Sequence, residues 1–93
     1  MAGHNQPMFY TYVLESTEHL GQRYIGHTAD LKTRVAEHQS GKCPHTRKFM
    51  PWKLKLYVAF ESLDSAQHFE RYLKSGSGHA FAKRHFWRPT PDL

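Results

Sequence analysis

The chain carries a single cysteine, Cys43, so it can form no internal disulfide, and it has no Cys-x-x-Cys pair to grip zinc. A chain that leans so little on sulfur suits a reducing compartment, and the cytoplasm is the expected location. No apolar run approaches the roughly 18 to 20 residues that a membrane span needs. The opening MAGHNQPM lacks the apolar segment of a secretory signal, and residues 1–7 read as a loose leader. Acids are few: eight Asp and Glu stand against 13 Lys and Arg, for a formal net charge of +5. That balance suits an anionic partner, nucleic acid first among them. The eight histidines include no pair at helical i, i+4 spacing and scatter over loops and ends, so they predict no zinc site. Repeats and low-complexity tracts are absent.

What is present argues for one folded domain over residues 8–87, followed by a tail, RPTPDL, expected to fray over 88–93. The 93 residues are 39% hydrophobic and 14% aromatic, enough for a modest single core. Residues 8–14, MFYTYVL, are aromatic and β-branched and predict a strand, with Tyr10, Tyr12 and Leu14 on one face and Phe9, Thr11 and Val13 on the other. A polar turn containing Gly21 leads to a second strand at RYIG, giving an antiparallel hairpin. Pairing symmetric about Glu18 sets Tyr12 opposite Tyr24. Residues 29–39 predict a helix capped by Thr28 or Asp30 and ended by Ser40-Gly41, with Leu31, Val35 and His38 on its apolar stripe. GKCPHTRKFMP reads as a basic surface loop that includes Cys43. WKLKLYVAF predicts a strand with Trp52, Leu54, Leu56, Val58 and Phe60 on one face. A helix over about 63–74 starts at Ser62 or Asp64, SGSG breaks it, and a last basic helix covers HAFAKRHFW. The order β-β-α-β-α-α gives an α+β fold: a small three-stranded, mostly antiparallel sheet flanked by helices.

Several polar residues fall on faces that should pack. Glu70 completes the i, i+3, i+4, i+7 stripe begun by Ala66, Phe69 and Leu73, where an acid is costly unless it is paired or holds a metal. Arg34 and His38, four apart, project from one helix face anchored by Leu31 and Val35; a guanidinium at a core edge forms a natural fork for phosphate oxygens. Gly26 removes a side chain two residues beyond Tyr24 on the same strand face, as a bulge does, or as an opening through which a ligand meets the backbone. Each of these also has an ordinary structural reading: a solvated or locally paired acid, a snorkelling arginine, a satisfied histidine and half-buried sheet tyrosines.

The sequence Tyr24-Ile25-Gly26, followed by Arg34, His38 and then Glu70 within FERYLKSGSG, resembles the GIY-YIG endonuclease superfamily and, within it, the small single-domain bacterial members. The resemblance spans about residues 8–87. The second half of the signature is literal; in the first, Tyr10-Thr11-Tyr12 stands where the family writes Gly-Ile-Tyr. The late asparagine of many members has no counterpart, since no asparagine follows Asn5, and His79 is the candidate in its place. The resemblance implies a divalent-metal-dependent DNA endonuclease, structure- or damage-directed, acting in repair or recombination on branched, nicked or damaged DNA. It implies Mg²⁺ or Mn²⁺ held by Glu70, Arg34 neutralising the scissile phosphate, and Tyr12 taking a proton from the attacking water with Tyr24 and His38 orienting it. With no appended targeting domain in view, DNA contacts would fall to Lys42, Arg47, Lys48, Lys53, Lys55, Lys83, Arg84 and Arg88. The alternatives are a catalytically weak or inactive nucleic-acid-binding module of the same fold, and a protein-interaction domain.

Overall fold

The computed structural model describes residues 7–87. Its elements run β1 (Phe9–Ser16), β2 (Arg23–Thr28), α1 (Leu31–Gln39), α2 (Pro44–Arg47), β3 (Trp52–Phe60), α3 (Leu63–Leu73) and α4 (Gly76–His85). The three strands form one antiparallel sheet, as the sequence pattern predicts, in the order β2-β1-β3. The helix after β2 is capped by Asp30, whose Oδ1 accepts from the Thr33 N–H at 3.1 Å. The basic segment 41–51, expected to be a plain loop, contains the single helical turn α2, started by Pro44 at its first position. Cys43 is buried there, at 6% exposure, and not on the surface.

β1 is the central strand and sorts two small cores onto opposite faces of the sheet. Its even-numbered residues Tyr12 and Leu14 pack with Trp52 against Leu31, Val35 and Phe49, under α1 and α2. On the other face Val13 packs with Leu73 and Ala82, joined by Leu56, Phe69 and Phe81 under α3 and α4. The buried Thr11 hydroxyl donates to the Ala66 carbonyl at 2.7 Å, fastening β1 to α3.

Two registers differ from expectation. Tyr12 pairs with Gly26, and Leu14 pairs with Tyr24, so the hairpin is offset from the symmetric arrangement that put Tyr12 opposite Tyr24. Loop length does not fix register, and packing decides it: the phenol of Tyr12 needs the space that only a glycine leaves beside it. In β3 the strict alternation breaks. Leu14 pairs with Leu54 and Val13 with Leu56, leaving Lys55 as the extra residue of a bulge. Trp52 and Leu54 therefore share the Tyr12 face, whereas Leu56, Val58 and Phe60 turn to the other; the predicted single apolar face is divided between two cores.

At the C-terminal end, SGSG begins α4 and is not merely a break. Ser75 caps the helix by accepting from the Gly78 N–H at 3.1 Å, and its hydroxyl donates to the Tyr72 carbonyl at 2.6 Å. Gly78 is obligatory in this junction: a Cβ there would lie 1.7 Å from the Tyr72 carbonyl oxygen. Arg88, the tail 88–93 and most of the leader 1–7 lie outside the described residues.

Candidate active site

The even-numbered face of β1 and β2, roofed by α1, gathers the first group of polar residues. Tyr12 points into the gap beneath α1, 1% exposed, with its hydroxyl 2.8 Å from His38 Nε2. His38, fully buried, places Nδ1 2.8 Å from the Thr46 hydroxyl, and that hydroxyl faces the Cys43 carbonyl at 3.4 Å. A carbonyl only accepts, so the donors run in one direction: Thr46 O–H to Cys43, His38 Nδ1–H to Thr46, and Tyr12 O–H to His38 Nε2. With the donors in this direction His38 is the neutral Nδ1–H tautomer, its Nε2 lone pair on Tyr12. Thr46 also accepts the Trp52 indole N–H on its carbonyl at 2.7 Å, which pins α2 to β3.

Charge and burial act on this pair in defined directions. Burial pushes the Tyr12 phenol up from 10.0 to about 12, against the pull of the neighbouring Arg34 guanidinium, with Tyr24 adding to the rise. Burial likewise lowers His38 below 6.5, and Arg34 lowers it further. Arg34 itself donates from Nη1 to Glu37 Oε1 at 2.8 Å, and that partner above all keeps the guanidinium charged. The Tyr24 ring lies against His38 with centroids 4.8 Å apart and against Tyr12 at 6.2 Å. Gly26 makes the cluster possible. A Cβ at this position would meet the Tyr12 hydroxyl at 2.8 Å and Tyr24 Cε2 at 2.9 Å. The space at Gly26 is taken by the two phenols, a third use beside the bulge and the ligand opening that the sequence suggests.

Glu70 approaches from α3, on the other side of the sheet. Its Oε1 is 2.5 Å from His27 Nδ1, and its Oε2 accepts from Lys74 Nζ at 2.7 Å. Burial disfavours the ionised carboxyl, yet Lys74 and His27 outweigh it and hold Glu70 below the usual carboxylate range. His27 directly follows Gly26 on β2. β2 is the edge strand, and on it a cavity of about 330 Å³ is lined by Tyr24, Lys74 and His79, together with Arg23 and Ile25; Glu70 itself does not line it. Tyr24 belongs to the first group, Lys74 is bonded to Glu70, and His79 is the residue singled out in place of the late asparagine. Tyr12, Tyr24, Arg34 and His38 thus form one cluster, with Glu70 across the rim of the same strand.

Sequence reasoning missed three members. His27 was one histidine among eight, and its partner lies 43 residues away. Thr46 sat in what read as a loop. Glu37 follows Arg34 by three, a spacing that does signal a helical ion pair. Among the described residues no group of three or more His, Cys, Asp or Glu could hold a metal ion. The donors that would serve a divalent cation are the Glu70 carboxylate and the His27 imidazole beside it, and Lys74 now holds Glu70 Oε2. So sparse a set fits an ion that keeps several waters and takes further oxygens from a phosphate.

The predicted cationic contacts divide over the surface. Lys42, Arg47 and Lys48 are exposed around α2, close to Thr46, although Arg47 Nε is engaged by the Gly41 carbonyl at 3.0 Å. Lys53 and Lys55 lie 3.9 and 3.6 Å from Glu15, which also pairs with Arg23 at 3.2 Å, so one acid tethers three cations. Lys83 and Arg84 are exposed on α4, beyond the second core. No helix among the described residues is long and apolar enough to cross a membrane.

The GIY-YIG catalytic domain family matches residues 8–84. The chain is 42% identical over 66 residues to a UPF0213 protein of Streptococcus pneumoniae, covering 70% of this chain and 65% of that one. It is 39% identical to a UPF0213 protein of Streptococcus pyogenes serotype M5, covering 70% of each. The chain thus spans just under two thirds of the length of the pneumococcal relative. The solution NMR structure of a UPF0213 protein from Bacillus halodurans superposes with a TM-score of 0.51 at 30% identity, over 86% of this chain and 87% of that one. A fold, a residue cluster and a set of relatives agree, and the chain belongs to the GIY-YIG nuclease family, where it groups with the UPF0213 proteins.

Proposed function

We propose that the protein is a divalent-metal-dependent endonuclease that hydrolyses DNA phosphodiester bonds, directed by DNA structure or damage in repair or recombination. The observation that carries this reading is the buried Tyr12–His38 pair, with a phenol hydroxyl 2.8 Å from a neutral imidazole acceptor and a guanidinium alongside. A packing tyrosine does not require such a chain of donors running inward to a backbone carbonyl.

The pair solves a specific difficulty. A phenol raised to about 12 is a poor base at neutral pH, because ionising it alone is unfavourable. Coupled transfer avoids the isolated phenolate: the proton of the attacking water passes to Tyr12 Oη as the proton of Tyr12 passes to His38 Nε2. His38, already hydrogen-bonded at Nδ1, then carries the charge, and Thr46 keeps its ring aligned. Arg34 exchanges Glu37 for a phosphate oxygen and stabilises the negative charge that grows as the bond breaks. That movement also takes its charge away from Tyr12 and opens the way to the phenol. Tyr24 covers the outer face of the imidazole and excludes bulk water. Glu70, with His27 orienting its carboxylate, would hold Mg²⁺ or Mn²⁺, whose chemistry is to stabilise the departing 3′-oxygen. Lys74, now on Glu70 Oε2, would turn to a neighbouring phosphate where a cation took that oxygen.

The test is nicking of supercoiled and branched DNA with Mg²⁺ or Mn²⁺, comparing wild type with Glu70→Ala. Cleavage by the wild type alone, with the variant equally folded by circular dichroism, is the expected result. If both are inert over many DNA structures while both retard DNA in a gel, the chain is a binding module of the same fold.

A further inference from the structure

On the face of the sheet that carries Tyr12, a second cavity of about 560 Å³ opens between β1, β3 and the start of α1. Leu31, Val35 and Leu54 wall it, Tyr10 and Tyr57 floor it, and Lys32 stands at its rim with Asp30, whose carboxylate is engaged as the cap of α1. The two tyrosines meet edge to face, with centroids 5.7 Å apart and planes at 73°. Tyr57 is 51% exposed and Leu54 is 37% exposed, although Tyr12 and Trp52 on the same sheet face are buried. The β3 bulge places them there: without Lys55 as the extra residue, Leu54 would not share the face of Tyr12. Tyr57 is the direct cross-strand partner of Tyr12, and Val35 neighbours Arg34 on α1. The aromatic floor is therefore continuous with the phosphate-cleaving cluster and shares its strand and its helix.

We propose that this cavity receives an unstacked nucleobase from the strand being cut, stacked on the open ring of Tyr57 with its backbone steered by Lys32. The inference rests on the nuclease reading for its neighbour and on the cavity itself for its chemistry. A π-face accepts any base, so the subsite selects single-stranded or frayed DNA over intact duplex without reading sequence. Duplex bases are held in their stack and cannot lie on the Tyr57 ring without unstacking. A molecule that carries 13 Lys and Arg against eight acids favours a polyanion over an apolar peptide as the occupant.

The experiment is fluorescence anisotropy with a labelled oligo(dT) and a blunt duplex of equal length, at several salt concentrations, in the presence of Ca²⁺ so that bound DNA stays intact. Tyr57→Ala should weaken single-strand binding by roughly 5- to 150-fold, the worth of one stacked base, and leave duplex binding and the salt slope unchanged. Tyr57→Phe should bind as wild type, since stacking needs the ring and not the hydroxyl, and Lys32→Ala should reduce the salt slope by about 1. Single-strand affinity unchanged in Tyr57→Ala, or duplex and single-strand affinity falling together, overturns the proposal. So does a wild-type dimer in sedimentation that Tyr57→Ala dissociates, because the face would then be a self-interface. These readouts involve binding alone. Loss of the Tyr57 effect with Glu70-dependent nicking intact sinks only the subsite, whereas Tyr57-dependent binding without any nicking sinks only the nuclease reading.

Discussion

Single residues decide whether the Tyr12 cluster exists. Gly26→Ala drives a methyl against two aromatic rings that are held from both sides, so it should cost about 1–3 kcal/mol in urea unfolding and disturb the Tyr12–His38 contact. His38 gives a prediction with a definite sign. Its folded pKa lies below 6.5, so the unfolded chain takes up a proton first as acid is added. Its contribution to stability is complete above its unfolded value of about 6.5 and is lost as pH falls toward the folded one. Glu70, also held below its ordinary value, loses its own contribution as pH falls further, through the carboxylate range. Between about pH 7.5 and about pH 5.5 the wild type should lose thermal stability, and His38→Gln should lose less over the same interval. A scan of melting temperature against pH for both proteins checks this.

At the scale of elements, much of the molecule is legible in the sequence, and the failures have common causes. Ala66, Phe69 and Leu73 mark the face of α3, and Asp30 and Ser62 cap their helices as their residue types suggest. The β3 bulge was hidden because WKLKLYVAF alternates without interruption; the shift turns Leu56 into the core under α3 and α4 and leaves Leu54 on the Tyr12 face, a tertiary effect with no local mark. The hairpin register was hidden for the same reason, being set by the fit of Tyr12 over Gly26 and not by the turn. Within the candidate site, Tyr24, Gly26, Arg34, His38 and Glu70 could be read from spacing and resemblance. His27 could not, because its partner lies 43 residues away, and Thr46 could not, because its segment reads as a loop. The α3–α4 junction gives the strongest stability prediction. Gly78→Ala places a carbon inside the Tyr72 carbonyl and should cost about 3 kcal/mol, seen as a lowered urea midpoint. Since Lys74 and His79 flank this junction, the same substitution should impair nicking more than the milder loss of the α3 cap in Ser62→Ala, worth about 1 kcal/mol.

The whole molecule is basic, yet its cations are not uniformly available. Glu15 occupies Arg23, Lys53 and Lys55, and Arg23 also stacks on Trp87 at 4.1 Å, so that corner is partly neutralised. The α2 surface, with Lys42 and Lys48 next to the Thr46–His38 chain, is the better-placed cationic approach to the cluster. Lys42→Ala with Lys48→Ala should therefore flatten the salt dependence of DNA binding by about 2 in slope, whereas Lys53→Ala with Lys55→Ala should change it less. A titration repeated over a range of KCl concentrations distinguishes them.

β2 lies at the border of the sheet, with its outer side uncovered by any neighbouring strand. A polymer laid along such a border enters sideways, with no tunnel to thread and no terminus to find. A covalently closed circle should then be as accessible to Tyr24 and Glu70 as a linear fragment of the same composition, and blocking both ends of a linear substrate should not protect its interior.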